Sequence, residues 1–271
     1  MKVLFVASSR DPAGMNLVDQ LLKHISFEKV SGGLLRAEDR DWLLKIVDTD
    51  IVYSDYVDRG VDADVNIFLS KHSSQSGMRT LSVHPTGNPL SVAELGGRPN
   101  SLAPCHPYLM SLTLRSLHTY NMEYGLDYVV TMEVTHHGPT ELRNPSFFVE
   151  IGSSLNEWRD PRAAEAVVAA VLDALNRYDS QYESRPVYVG FGGPHYAPRF
   201  TRAVLDKDLV VGHILSKYAV EGGVSGEVVL MAFDRSMGSR RALIDWKGVK
   251  SVYRRRILDL LGSVGIEYSR A

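Results

Sequence analysis

An α/β fold, with a mixed and mostly parallel central sheet flanked by helices, is what this sequence predicts. Three observations lead to it. Short apolar runs such as Val3-Leu4-Phe5-Val6 and Ile67-Phe68-Leu69 have the length of strands buried on both faces. Longer stretches repeat apolar residues at helical spacing, as Met15, Val18, Leu21, Leu22 and Ile25 do. Several apolar runs end in ionisable side chains, and ligands of open α/β sheets gather at the carboxyl ends of strands.

At 271 residues, 44% of them hydrophobic and 23% charged, the chain has the composition of a globular protein with ample core. We expect one α/β domain over 1–271, with a loop-helix insertion near 89–125 and a basic C-terminal helix near 239–262. No run approaches the roughly 20 apolar residues that span a bilayer. The apolar start is too short for a signal peptide and ends at Arg10-Asp11-Pro12. The single cysteine, Cys105, excludes an internal disulfide framework and a Cys-rich zinc module. A cytoplasmic protein is the expectation. The net charge of −2 argues against coating nucleic acid by bulk electrostatics, yet Lys247, Lys250, Arg254, Arg255 and Arg256 concentrate near the end of the chain. That run reads either as a solvated helix face or as a phosphate-contacting surface.

In chain order, residues 2–8 form a strand and Asp11-Pro12-Ala13-Gly14 opens a helix. The turn between them lacks both the Gly-rich dinucleotide fingerprint and a P-loop lysine, so its role is structural. Strands are expected at 51–54, 65–70 and 80–84. The second runs into Lys71-His72, and the third ends at His84 before a Pro/Gly turn. Residues 89–101 read as a loop and 104–122 as a helix on which His106 and His118 are capping or surface histidines. A strand buried on both faces from Tyr128 to Val134 delivers His136-His137-Gly138-Pro139-Thr140, and Ser146–Val149 is a strand ending at Glu150. Asp160-Pro161 caps a core helix reaching Tyr178. Val187–Val189 is a strand leading into a Gly/Pro-rich loop around His195. A helix over 206–218 containing His213, a last strand over 226–233, the basic helix and a short tail at 264–271 complete the reading.

The ionisable groups at strand ends are Lys71, His72, His84, Glu133, His136, His137, Glu150 and His195. Without cysteines, zinc sites use imidazoles and carboxylates. Along a continuous strand Glu133 and His137 share a face but lie about 13 Å apart, so one metal reaches both only if the strand breaks early. Neither an HExxH motif nor a G-x-S-x-G elbow occurs. Cys105 beside His106 is not on that ground a catalytic dyad. An activated water is then the nucleophile, with Glu150 or Glu133 as proton acceptor and the amides of Gly192 and Gly193 as oxyanion donors.

The segments SKH at 70–72, TLSVHPTGN at 80–88, EVTHHGPTEL at 133–142, PSFFVEIGSS at 145–154 with Trp158, and GFGGPHYAPRFT at 190–201 resemble the archaeal and plant-type D-aminoacyl-tRNA deacylases. The resemblance covers nearly the whole chain. It implies hydrolysis of the ester between a D-amino acid and the 3′ end of tRNA, a monomer with a phosphorylase/peptidyl-tRNA hydrolase-like fold, and zinc, one ion or two, as cofactor. Carried onto this chain, it implies catalytic roles for His137, Glu150, His195 and Glu133, and metal ligands among His84, His136, His137, Glu150 and His195. Lys71, His72, Thr140, Gly192, Gly193 and Arg199 are then expected at the substrate, with the loop at Gly192-Gly193-Pro194 as a wall against L-enantiomers. Lys247, Lys250, Arg254, Arg255 and Arg256 are expected on the tRNA. The substrate is the only partner expected, with neither a membrane nor an obligate protein partner. The competing readings are a zinc-dependent amidohydrolase or peptidase of a small substrate, a peptidyl-tRNA hydrolase, and an RNA-binding module without catalysis.

Overall fold

A computed structural model describes residues 1–179 and 182–271. Eight strands form the larger sheet, in the order Phe27–Ser31, Leu34–Ala37, Trp42–Val47, Val3–Ser8, Val65–Ser73, Ser146–Ser153, Thr80–His84 and Val129–Met132. The four strands from Trp42–Val47 to Ser146–Ser153 run parallel. Thr80–His84 turns antiparallel to Ser146–Ser153, and Val129–Met132 is parallel to Thr80–His84. A second sheet, entirely parallel, orders Val210–Leu215, Val187–Phe191, Arg241–Ile244 and Glu267–Arg270.

Local chemistry explains the elements that position the site. The Asp11 carboxylate accepts the amides of Ala13 and Gly14 at 2.9 Å each, opening the Pro12–His24 helix. It also accepts the Lys71 amide at 2.8 Å, so the turn is closed by its own acid and holds the end of the neighbouring strand. The Pro161–Arg177 helix, capped by Asp160, buries Ala163, Ala164, Ala166 and Ala170 completely and packs on the Pro107–Glu123 helix. Val167 and Val171 add about 1.5–3 kcal/mol each by burial there.

Several expected elements differ. Residues 51–53 form one 3-10 turn, Ile51–Tyr53, because the Tyr53 and Ser54 amides bond to Asp50 and Ile51 rather than to a strand. Residues 206–218 are not a helix: the Pro198–Lys207 helix stops at Asp208, whose backbone is left-handed (φ 57°), and the β-branched run that follows enters the sheet as Val210–Leu215. Residues 226–233 are not a strand but the Gly226–Arg235 helix, with Ser225 accepting the Val228 amide and Val228, Val229, Ala232 and Phe233 buried at helical spacing. The basic segment near 239–262 is split into the Arg241–Ile244 strand and the Ser251–Ser263 helix, and the tail supplies the strand Glu267–Arg270. The Tyr128–Val134 run is an edge strand, Val129–Met132, on which Val129 is 49% exposed. His106 caps the Pro107–Glu123 helix as expected, and His118 is exposed. No helix among the described residues is long and apolar enough to cross a membrane.

Candidate active site

Register places three of the ionisable groups together. In the larger sheet Glu150 lies beside Ser70 on one side and Ser82 on the other, and Gly152 lies beside His72 and Thr80. Phe148 lies beside Phe68 and His84. Paired residues share a face, so His72, His84 and Glu150 rise from one surface of three neighbouring strands. Glu150 therefore sits within its strand rather than at its end. Below them Phe68 and Phe148 stack with centroids 4.6 Å apart, and Phe148 lies 5.2 Å from the His84 ring, forming an apolar floor.

The remaining groups arrive because the edge strand breaks after Met132. The Glu133 amide still bonds to Val83, but the Val134 amide turns to the His195 carbonyl at 3.0 Å and the Thr135 amide to Ile214 at 2.9 Å. The second sheet thereby captures the backbone that would have continued the first. Thr131 and Thr201 add side-chain bonds across the same seam. His137 takes a left-handed backbone (φ 44°), which a non-glycine residue adopts at a cost. The strand therefore breaks early, the condition under which the continuous-strand spacing no longer holds, and Glu133 Oε2 lies 3.5 Å from His136 Nε2.

The result is a cluster of two carboxylates and five imidazoles, in which Glu133, Glu150, His72 and His84 are buried and His136, His137 and His195 are half-buried. His72 Nδ1 lies 3.2 Å from Glu133 and 3.4 Å from Glu150. Its Nε2 lies 3.1 Å from the Tyr196 hydroxyl. Burial disfavours its charge, but the two carboxylates outweigh burial and raise it to about 11, so His72 is an imidazolium bridging two anions. Burial pushes Glu133 up, yet His195, His72 and His84 hold it well below the usual carboxylate range. Glu150 is likewise lowered, by His72 and His84 against its burial. His84 is raised in spite of full burial by Glu150, 3.6 Å away. Burial and the neighbouring His84 push His136 well below its ordinary value and His137 down to about 4, so both are neutral. His195 Nε2 approaches Glu133 Oε2 to 2.7 Å without hydrogen-bond alignment, and both atoms are buried without a hydrogen bond.

Three imidazoles here have the same internal order. The Nδ1 atoms of His84, His136 and His137 face the carbonyls of Pro85, Val134 and Gly138 at 3.2, 2.7 and 2.6 Å. A carbonyl only accepts, so each Nδ1 carries a proton and each Nε2 keeps its lone pair in the neutral ring. Ligand atoms of these three residues lie within 4.8 Å of one another, as do those of His72, Glu133 and His195, and of His84, Glu133 and Glu150. With His84 Nε2 buried and unpartnered, the donor set fits a cation with nitrogen ligands.

A cavity of about 390 Å³ opens above the cluster, lined by His72, His136, His137, Glu150 and His195 together with Lys71, Arg10, Asp11, Asp50, Val52 and Leu95. Other expected site residues lie elsewhere. Thr140 is buried outside this lining, with its hydroxyl accepting the Arg98 amide at 2.8 Å. Neither Gly192 nor Gly193 lines the cavity. The Gly192 amide is spent on Leu215, which removes it as an oxyanion donor, and a Cβ there would meet Val249, so its value is close packing at φ 103°. Arg199 is exposed on the Pro198–Lys207 helix. Lys247, Arg255 and Arg256 are exposed, Lys250 pairs with Glu221, and Arg254 donates to the carbonyls of Trp246 and Val249, so it holds the fold of that segment. Cys105 is buried beside Ser236, with its thiol pushed up to about 12 by burial, and takes no part. The sequence reading missed Tyr196, Asp11 and Asp50; Asp11 stands at the carboxyl end of the first strand, the one signal that pointed to it.

A sequence model of the D-aminoacyl-tRNA deacylase family matches residues 59–269. The D-aminoacyl-tRNA deacylase of Pyrococcus horikoshii is 36% identical over 99% of each chain. That of Methanocaldococcus jannaschii is 34% identical over the full length of both. Among solved structures, a conserved protein of unknown function superposes with a TM-score of 0.90 at 34% identity, covering 99% of this chain and 95% of its own. Family match, full-length relatives and shared fold agree: the chain belongs to the D-aminoacyl-tRNA deacylase family.

Proposed function

We propose that the His/Glu cluster hydrolyses the ester joining a D-amino acid to the 3′ end of tRNA, releasing both. The observation that carries this is the joining of the fully buried Glu133, beside the edge of the larger sheet, to His195, which lines the cavity from a loop of the smaller one. The Glu133 carboxylate is held too acidic to be an effective base at neutral pH. Its part is to hold His195: the Glu133 charge 2.7 Å from Nε2 favours the proton on that nitrogen, and His195 Nδ1 is left to take a proton from water attacking the ester. This moves the proton from the carboxylate, where the sequence alone placed it, to the imidazole. His72, as a fixed cation between Glu133 and Glu150, keeps both carboxylates ionised. The dry floor of Phe68 and Phe148 strengthens these interactions.

Zinc fits the imidazoles of His84, His136 and His137, whose protonated Nδ1 atoms leave three Nε2 lone pairs available. Bound there, it would supply a Lewis acid for the ester carbonyl oxygen. Exposed Lys247, Arg255 and Arg256 are the groups we assign to the tRNA phosphates. Every group of the cluster comes from one chain, so a monomer suffices, and a tRNA substrate suits a cytoplasmic enzyme. The test is release of tyrosine from D-Tyr-tRNA and L-Tyr-tRNA by the purified protein. Faster release from the D-ester is expected; equal rates, or none, would overturn the reading.

A further inference from the structure

The row His136, His137 and His195 has two sides. One faces the 390 Å³ cavity described above; the other lines a second, more open cleft of about 290 Å³. The two clefts therefore meet at the histidines and nowhere else share a residue. An ester of an amino acid with an adenosine has two unlike halves on either side of the bond that breaks. Two clefts with one reactive row between them match that division.

Their linings decide which half goes where. The first cavity is lined by Arg10 and Lys71 as well as acids, and of its aspartates Asp11 is committed to the amides of Ala13, Gly14 and Lys71, so Asp50 is the carboxylate that suits the ammonium group of an aminoacyl ester. The second has no acidic lining residue. It offers Tyr218, 63% exposed, with Lys217 Nζ 4.8 Å from the ring centroid, and the apolar side chains of Pro89, Leu90 and Val92. A large aromatic ring left in solvent at the mouth of a cleft is a platform for a base. The Asn88 amide nitrogen is spent on the carbonyls of Gly96 and Arg98, and its oxygen, without a partner among the described residues, can accept from an exocyclic amine.

The route outward agrees. Tyr218 lies on the short Lys217–Glu221 helix, and Glu221 is bound at 2.8 Å by Lys250, the residue before the basic Ser251–Ser263 helix. Lys217 and Lys250 thus lie on the Tyr218 side of the second cleft, and the helix that follows Lys250 carries the exposed Arg255 and Arg256.

We propose that the second cleft is the subsite for the terminal adenosine of the tRNA, with its base stacked on Tyr218. The proposal rests on the deacylase reading above and adds where each half of the substrate sits. It is tested by calorimetric titration of the full-length protein with the trinucleotide CCA, which carries no ester, and by steady-state hydrolysis of D-Tyr-tRNA. Tyr218→Ala should weaken CCA binding between about 5-fold and 150-fold, the range that base–aromatic stacking supplies. Tyr218→Phe should bind CCA as the parent does. In hydrolysis Tyr218→Ala should raise KM with a much smaller change in kcat. Equal CCA affinity in the parent and Tyr218→Ala, or failure of the parent to bind CCA, would overturn the subsite. Loss of binding in Tyr218→Phe as well as Tyr218→Ala would also overturn it, since stacking needs only the ring. A parent that binds CCA through Tyr218 but hydrolyses no ester would overturn the deacylase reading and leave the adenosine site standing.

Discussion

His195 Nε2 lies 2.7 Å from Glu133 Oε2, a contact between a loop of the smaller sheet and the broken edge of the larger one. Neither sheet contains the site. It exists because the amides of Val134 and Thr135 bond across the seam to His195 and Ile214, which turns Glu133 inward beneath His195.

Gly152 makes room for His72. A Cβ at this position would collide with Thr80 Oγ1 and lie 2.9 Å from both Cβ and Cδ2 of His72, closer than real contacts allow. Gly152→Ala should therefore displace the imidazolium from Glu133 and Glu150, lowering stability by about 1–3 kcal/mol as overpacked cores do and lowering kcat as well. Thermal unfolding and initial rates check it. A variant equal to the parent in both measurements would refute a positioning role.

The three imidazoles with backbone-held Nδ1 atoms should bind zinc in the absence of any substrate. Zinc at about 100 times its Kd should stabilise the protein by about 2.7 kcal/mol through linkage, seen as a rise in Tm. His136→Ala should lose most of that rise and bind less zinc by elemental analysis. Equal zinc content and an equal Tm rise in His136→Ala would place the metal elsewhere.

Acid should weaken the seam through His213. Its Nε2 faces the Ala103 carbonyl at 2.9 Å, and its Nδ1 faces the Thr135 hydroxyl at 3.0 Å, which itself accepts the Ile214 amide. Burial pushes this histidine from 6.5 down to about 4. The unfolded chain therefore binds the proton first: the full contribution is present above pH 6.5, is lost as the pH falls towards 4, and does not change further below that. The loss totals roughly 3 kcal/mol. His213→Gln should show a shallower fall of unfolding free energy over that window, by up to about 1.4 kcal/mol per pH unit. Denaturant titrations at pH 7, 6, 5 and 4.5 measure it, and parallel curves for the two proteins would contradict the assignment.

Much of this site was legible in the sequence, and particular residues show where legibility ended. Imidazoles and carboxylates at the ends of apolar runs marked His72, His84, Glu133, His136, His137, Glu150 and His195, all of which meet in one cluster. Period-two alternation gives the spacing of Glu133 and His137 only along a continuous strand, and the strand does not continue. The break is set by carbonyls of His195 and Ile214, some 60 to 80 positions away, which no local pattern reports. The same limit explains 206–218 and 226–233. Val210-Val211-Gly212-His213-Ile214-Leu215 and Gly226–Phe233 are both short apolar runs, for which periodicity does not separate buried strand from buried helix. The left-handed Asp208 and the Ser225 cap decide between them. For Arg254 the charge was legible and the structural task was not: its Nη1 donates to two backbone carbonyls, of Trp246 and Val249, which no local pattern reports.

The central claim is that Glu133 orients His195 as the base of an ester hydrolysis, and Glu133→Gln tests it most directly. Glutamine keeps the size of the side chain and removes the charge that holds the imidazole. Single-turnover hydrolysis of D-Tyr-tRNA should slow by about 10²- to 10⁴-fold, the usual weight of positioned acid–base catalysis, while CCA binding is retained. A rate within threefold of the parent would contradict the account.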